Sequence, residues 1–284
     1  MNKRIYETVT MPNGLKMLTA LPIKETGVAE AYYTIRDNPM GNSNGDCFPF
    51  SCNIYKKLGV TEGIEDFKLC CDALGITPAE VASSRLIYAT NTVKAYTSTD
   101  MESYDVFDEP SQPHCDGIIT NEKGITLFSY AADCVLISLV DTKKKVIGNC
   151  HCSWGTTLKG IIESEINAFT EKYSSNTTDI MAFIWPGISL ENFEVGIECA
   201  DKFLNAGYGQ YVDVISYDKP HIDLQGVNKQ ILLNCGLAEN NIYVLDDLCT
   251  MRDEKLLHSY RRGPINSETK VHLNGMNGCF IRLV

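Results

Sequence analysis

Two short runs hold the residues best suited to chemistry: Ala132-Asp133-Cys134, and Asn149-Cys150-His151-Cys152-Ser153-Trp154-Gly155. A thiolate is a nucleophile and a soft metal ligand, and an imidazole moves protons near neutral pH. Brought together, Cys134 and His151 would form a nucleophile and base pair or supply two ligands to a zinc ion. Free cysteine is also a small hydrophobe of protein cores, so spacing alone leaves a structural role open for both. Familiar cofactor signatures are missing: the sequence holds no Walker phosphate loop, GxGxxG, HExxH, CxxC or GxSxG. Hydrolysis by a P-loop and Rossmann dinucleotide binding lose support.

The elements that must position these residues can be read from periodicity. Residues 134–140 and 146–152 have strand composition, and Asp141-Thr142-Lys143-Lys144-Lys145 joins them, which predicts adjacent strands. Alternation along the second strand puts Cys150 and Cys152 on the face opposite His151, as core residues more than ligands. Leu158, Ile161, Ile162, Ile166 and Phe169 recur at helical spacing. Upstream, residues 5–10 and 15–20 flank the Pro12-Asn13-Gly14 turn signal as a hairpin, and residues 29–35 suggest a third strand. Residues 41–46 have loop composition. Phe67, Cys70, Cys71 and Leu74 mark a helix stopped by Gly75, and Thr77-Pro78-Ala79-Glu80 reads as a capping box. Residues 85–96 return to strand composition before an acidic loop over 98–113. Downstream, strands near 180–185, 212–217 and 242–245 alternate with helices near 197–205 and 224–235, and residues 279–284 form a last strand. The expected class is mixed α/β (α+β), with helices packed on a mixed sheet in a single domain spanning 1–284.

Composition narrows the partners. The 284 residues carry a formal net charge of −11, a field that repels phosphate backbones and anionic lipid. Nucleic acid and membranes are therefore not expected partners. The run 125–140 is too short and too polar at Asp133 to span a bilayer, and the N-terminus lacks the apolar stretch of a secretory signal. A cytoplasmic setting is expected, with most of the 12 cysteines reduced.

Taken in order, Ala132-Asp133-Cys134, the run 151–158, Pro186-Gly187-Ile188 leading to Phe193-Glu194-Val195-Gly196, Cys249-Thr250 and Ser259-Tyr260-Arg261-Arg262 resemble the signature of the YfiH family. This family is also called the multicopper polyphenol oxidoreductase or laccase-domain family, and it includes purine nucleoside phosphorylases with adenosine deaminase activity. The resemblance covers nearly the whole chain. It implies a YfiH-like fold of mixed sheets with flanking helices, and a zinc site in which Cys134 and His151 match two ligands. The position of the family's first histidine falls on Asn91, a weak zinc ligand, so His114 or a water would have to complete the site. The arginine of the family's His-Ala-Gly-Trp-Arg-Gly segment is Gly155 here, and the family's paired cysteines are replaced by Glu191 and Asn192. Arg261 and Arg262 survive. Either could hold phosphate or a ribose oxygen, or form a surface ion pair.

The resemblance implies a purine nucleoside and phosphate as substrates, with Cys134, His151 and Asp133 at the reaction centre and Arg261, Arg262 and Asn91 contacting substrate. Copper fits less well than zinc, because coupled copper centres depend on imidazole and the chain has only His114, His151, His221, His258 and His272. Three other readings stand beside this one. The changes at Asn91 and Gly155 suit a binding homologue with little catalysis, the family name includes laccase-like oxidation of polyphenols, and Cys134 with His151 could act as a metal-free hydrolase.

Overall fold

A strand with one apolar face can border water, whereas a strand apolar on both faces must be covered twice. The two strands around Cys134 and His151 are of the second kind, buried along their full length. The structure is a computed structural model and describes residues 4–36, 62–83, 86, 91–107, 112–263 and 275–284. Its strands are β1 (Tyr6–Thr10), β2 (Lys16–Ala20), β3 (Ala29–Thr34), β4 (Val81–Ala82), β5 (Val93–Ala95), β6 (Gly117–Thr120) and β7 (Thr126–Ala131). They continue with β8 (Val135–Asp141), β9 (Val146–Cys152), β10 (Ile180–Ile184), β11 (Val212–Asp213), β12 (His221–Ile222), β13 (Ile242–Val244) and β14 (Asn277–Leu283). The helices are α1 (Leu21–Lys24), α2 (Glu62–Leu74), α3 (Ser98–Met101), α4 (Trp154–Leu158), α5 (Ile161–Tyr173), α6 (Ile197–Asn205) and α7 (Leu224–Asn234).

The mixed α+β class with flanking helices holds, but the sheet is doubled. Among the described residues there are two six-stranded sheets, ordered β1-β2-β3-β14-β7-β4 and β13-β10-β8-β9-β6-β5. They pack face to face: Leu18, Tyr33, Leu127 and Ile281 of the first meet Leu136, Ile147, Phe183 and Trp185 of the second. The Tyr33 ring stacks on Trp185 at 5.2 Å. Helix α2 covers the outer face of the first sheet through Phe67, Cys70 and Leu74. Helices α5, α6 and α7 cover the outer face of the second. Sequence periodicity cannot separate one sheet covered by helices from two stacked sheets, since both demand strands apolar on each face.

Local departures have local causes. The helix expected through residues 158–169 is interrupted by Gly160 at φ 82, which separates α4 from α5 while Ile161, Ile162, Ile166 and Phe169 still bury one face. The strand expected over 212–217 stops at Asp213, whose carboxylate accepts the N–H groups of Ile215 and Ser216 at 2.9 Å each. The capping box at Thr77 and Glu80 forms, but it caps only a 3₁₀ turn, Pro78–Glu80. Of the strand expected over 85–96, β5 is described, and residues 85 and 87–90 lie outside the described residues. So do the loop at 41–46, part of the acidic stretch (108–111) and His272.

Candidate active site

The hairpin β8–β9 is pinned by its turn, where Asp141 Oδ1 accepts the N–H groups of Lys143 and Lys144 at 2.9 Å. This register sets His151 opposite Leu136 on the face between the two sheets. Cys150 and Cys152 point the other way, into the cluster beneath the helices, as alternation predicted. The strand then ends at once: Ser153 Oγ accepts the Thr156 N–H at 3.1 Å and the Thr156 hydroxyl accepts the Ser153 N–H at 2.8 Å, starting α4. The Thr156 hydroxyl also bonds the His151 carbonyl at 3.0 Å, which couples the helix start to the histidine.

Beside β9 runs β6, and the residue before it completes the arrangement. Asp116 accepts the His151 backbone N–H at 2.7 Å through its carbonyl, and its Oδ1 sits 2.8 Å from His151 Nδ1. Both side chains are fully buried. The Cys134 side chain lies near the same imidazole and acts on its charge, so the ring sits between a carboxylate and a thiol. Burial alone pushes the His151 pKa down, but the bond to Asp116 and the nearby Cys134 outweigh it and raise the value to about 9. These neighbours favour the protonated ring. Asp116 Oδ1 meets the ring, while its Oδ2 is buried without a hydrogen-bond partner. Asp116 was missed by sequence reasoning. Its strand, Gly-Ile-Ile-Thr, is too short to give a period, and the acid sits just past a stretch read as loop.

Cys134, unlike His151, reaches solvent. It lines a cavity of about 410 Å³, whose walls include Asp133, Trp154, Phe193, Tyr260 and Arg261. This is within the volume range of small-molecule sites, and its lining is mostly apolar and aromatic. The chain turns into β8 through Asp133, a non-glycine residue at φ 84, which is a left-handed conformation that aspartate tolerates better than most. Surrounding bonds hold it there. Asp133 Oδ1 accepts from the Thr250 hydroxyl at 2.6 Å, Oδ2 accepts from the Ser259 hydroxyl at 3.1 Å and the Arg261 N–H at 2.7 Å, and its carbonyl accepts from the Ile188 N–H at 2.9 Å. Asp133 thus ties together the segments that form the cavity wall. Its carboxylate is occupied as an anchor of the wall.

The two arginines part company. Arg261 lines the cavity, with its guanidinium 5.6 Å from the Phe193 ring centroid and one nitrogen donating to the Glu194 carbonyl at 2.6 Å. Arg262 turns inward and donates to the carbonyls of Thr250, Met251 and Leu257 at 2.8, 2.7 and 2.5 Å, so its partners are backbone, not an acidic side chain. It does not line the cavity. Asn91 is exposed and outside the cavity lining, although the neighbouring Thr92 carbonyl accepts the N–H groups of Asp116 and Gly117 at 3.3 Å. His114 is likewise exposed. Asn192 donates to Ser189 Oγ at 3.0 Å and to Cys249 Sγ at 3.6 Å, away from Cys134.

These positions bear on a metal. Catalytic zinc keeps three protein ligands. Cys134 and His151 would be two, and the carboxylate on the far ring nitrogen resembles the support given to zinc-bound histidines. Among the described residues, however, no group of three or more His, Cys, Asp or Glu side chains is placed to hold an ion. Among the described residues the donor set is one short of a catalytic zinc site.

The fold and motifs agree with known proteins. Residues 60–272 match the family described as multi-copper polyphenol oxidoreductase laccase. The chain is 35% identical over 149 residues to the purine nucleoside phosphorylase YlmD of Bacillus subtilis, 52% of this chain and 53% of that one. The match thus spans about half the length of that relative. Over 233 residues it is 27% identical to a purine nucleoside phosphorylase of Bacteroides thetaiotaomicron, covering 80% of this chain and 84% of the relative. The crystal structure of the Bacillus licheniformis hypothetical protein YfiH shares the fold, with a TM-score of 0.80 at 22% identity over 94% of this chain and 96% of that one. The chain belongs to the multi-copper polyphenol oxidoreductase laccase family, the laccase-domain or YfiH family.

Proposed function

We propose that the protein cleaves purine nucleosides by phosphorolysis in the cavity beside Cys134. The observation that carries this reading is the placement of the Cys134 thiol on the wall of a nucleoside-sized cavity with the buried His151 and Asp116 pair directly behind it. The aromatic side chains of Trp154, Phe193 and Tyr260 offer flat apolar surface for a purine, and Arg261 offers positive charge for phosphate or a ribose oxygen. A phosphate oxygen bonds C1′ as the glycosidic C–N bond breaks, and the bond's electron pair leaves with the purine. The base takes up a proton from the His151 and Cys134 pair, which regains one from the incoming hydrogen phosphate. Asp116 holds the imidazole in orientation and favours its protonated form, and Asp133 holds the cavity wall. Both relatives named above carry the phosphorylase name.

No step is routed through zinc, because the described donors do not complete its coordination. The deamination implied by family resemblance would call on such a metal-bound hydroxide, so phosphorolysis is the better fit. A second reading is favoured by one feature: the order Asp116, His151, Cys134 is also that of a thiol nucleophile with its base and orienting acid, suited to amides or esters.

The test is incubation of pure protein with adenosine or inosine, with and without phosphate, following free base by chromatography. Phosphate-dependent release that disappears in Cys134→Ala is expected. Equal release by wild type and Cys134→Ala would overturn the proposal, and hydrolysis of model esters without nucleoside cleavage would favour the thiol reading.

A further inference from the structure

Phosphorolysis needs a bound dianion, and this chain is poorly suited to attract one. With 36 acidic against 25 basic residues, its average field repels phosphate, so local cations must overcome it. Along the cavity wall the charged side chains are Asp133 and Arg261. The Asp133 carboxylate is saturated by Thr250, Ser259 and the Arg261 N–H. The Arg261 guanidinium spends one nitrogen on the carbonyls of Glu194, at 2.6 Å, and Asn192, at 3.5 Å. The Glu194 carboxylate, which feels the Arg261 charge, is itself bonded to Lys219 at 2.8 Å.

A second cation approaches the same cavity from α6. Lys202 Nζ lies 4.8 Å from the centroid of the Trp154 ring, and Trp154 is a wall of the cavity. The ring is 40% exposed, and the ammonium rests on this wall residue without lining the cavity itself. Among the described residues neither Lys202 nor Arg261 has a carboxylate within ion-pair distance. In a chain with an excess of acids, two cations left without such partners beside one opening are the marks of an anion site.

We propose that Lys202 is the residue that sets affinity for the phosphate co-substrate, sharing the dianion with Arg261 at the cavity mouth beside Trp154. This rests on the phosphorolysis reading and assigns its anion subsite. It also accounts for how a chain with Gly155 next to Trp154 could keep a positive charge there: the cation comes from a different helix. As a flexible point charge, Lys202 can leave the indole to meet phosphate and return afterwards.

The test uses inorganic phosphate as the probe, by calorimetric titration of the full chain, beside steady-state kinetics in phosphate and in inosine. For Lys202→Met the expected result is at least tenfold weaker phosphate binding and a matching rise in the KM for phosphate, with the KM for inosine within twofold of wild type. Lys202→Arg should recover most of the loss. Phosphate affinity equal in wild type and Lys202→Met, or no phosphate binding by wild type, would overturn the proposal. Saturable, Lys202-dependent binding without turnover of any nucleoside would instead remove the phosphorolysis reading and leave the anion site standing. Turnover with an unchanged phosphate KM in the variant would do the reverse.

Discussion

The two faces of β9 bury titratable groups under opposite conditions. On the face between the sheets, His151 has a carboxylate on one side and a thiol on the other, and its pKa rises to about 9 despite complete burial. On the helix-covered face, Cys150 and Cys152 lie with their sulfurs 3.5 Å apart, close to the buried carboxyl of Glu165 on α5. There burial dominates. The pKa of Glu165 is pushed well above its usual value by burial first and by the nearby Cys150 second, and the nearby Asn149 backbone offsets this only in part. Gly117 and Gly148 leave room for this carboxyl, since a Cβ at either would come within 2.0 or 2.6 Å of its oxygens. The lesson is that depth alone keeps a group neutral, while an opposite charge at hydrogen-bonding distance keeps it ionised. Beside the histidine face, Cys134 lines a cavity.

The sharpest way to break this contrast is to remove one thiol from each side. Cys134→Ala should lower nucleoside turnover by about a hundredfold or more, the scale of losing a positioned proton-transfer group. Cys150→Ala should leave turnover within a few fold and cost about 1 to 2 kcal/mol in stability by chemical denaturation, as a small core truncation does. Similar kinetic losses in both variants would erase the distinction between the faces.

The next effect concerns the partner of His151. Asp116→Asn keeps the shape but removes the charge, and turnover should fall about ten- to a hundredfold, as for other groups that orient a reacting side chain. Steady-state kcat with folding verified by circular dichroism measures it. An unchanged kcat would make the buried pair a structural bond only.

How far these residues were visible in advance depended on chain distance. Cys134 and His151 were legible because a five-residue turn joins two clear strands, and alternation correctly separated His151 from Cys150 and Cys152. Asp116 was not, because its contact with His151 spans 35 residues and its strand is only four long. The separate fates of Arg261 and Arg262 were also hidden. Adjacent residues in a loop have no period, and only the carbonyls of Thr250, Met251 and Leu257 decide that Arg262 points inward. The resemblance implied mixed sheets, but periodicity could not give the strand order, since β14 pairs with β3 and β7 across most of the chain.

A third change would sharpen the metal question. Position 91 lies two residues before β5, and Val93 of that strand pairs with Gly117, next to Asp116. Asn91→His should therefore raise zinc bound after dialysis against dilute zinc, with wild type remaining well below one equivalent by elemental analysis. Equal, near-stoichiometric zinc in both proteins would show that two donors and an unassigned third suffice.

The smallest effect is on pH dependence. Because the folded pKa of Glu165 is raised, its contribution to stability is complete below the unfolded value near 4.5 and is lost as pH rises toward the folded value. The slope cannot exceed about 1.4 kcal/mol per pH unit for one group. Glu165→Gln should flatten urea-derived stability between pH 5 and neutrality, with those pH limits being approximate choices. Parallel profiles for wild type and variant would mean that Glu165 is ionised in the fold.

The central claim is that Cys134, close to His151 and open to the cavity, is the reacting edge of the site. Graded alkylation by iodoacetamide, with modified cysteines mapped by mass spectrometry and inosine phosphorolysis assayed on the same samples, tests it most directly. Activity should fall in proportion to the fraction of Cys134 modified, while Cys150 and Cys152 remain unlabelled. Complete alkylation of Cys134 with full activity retained would contradict the account.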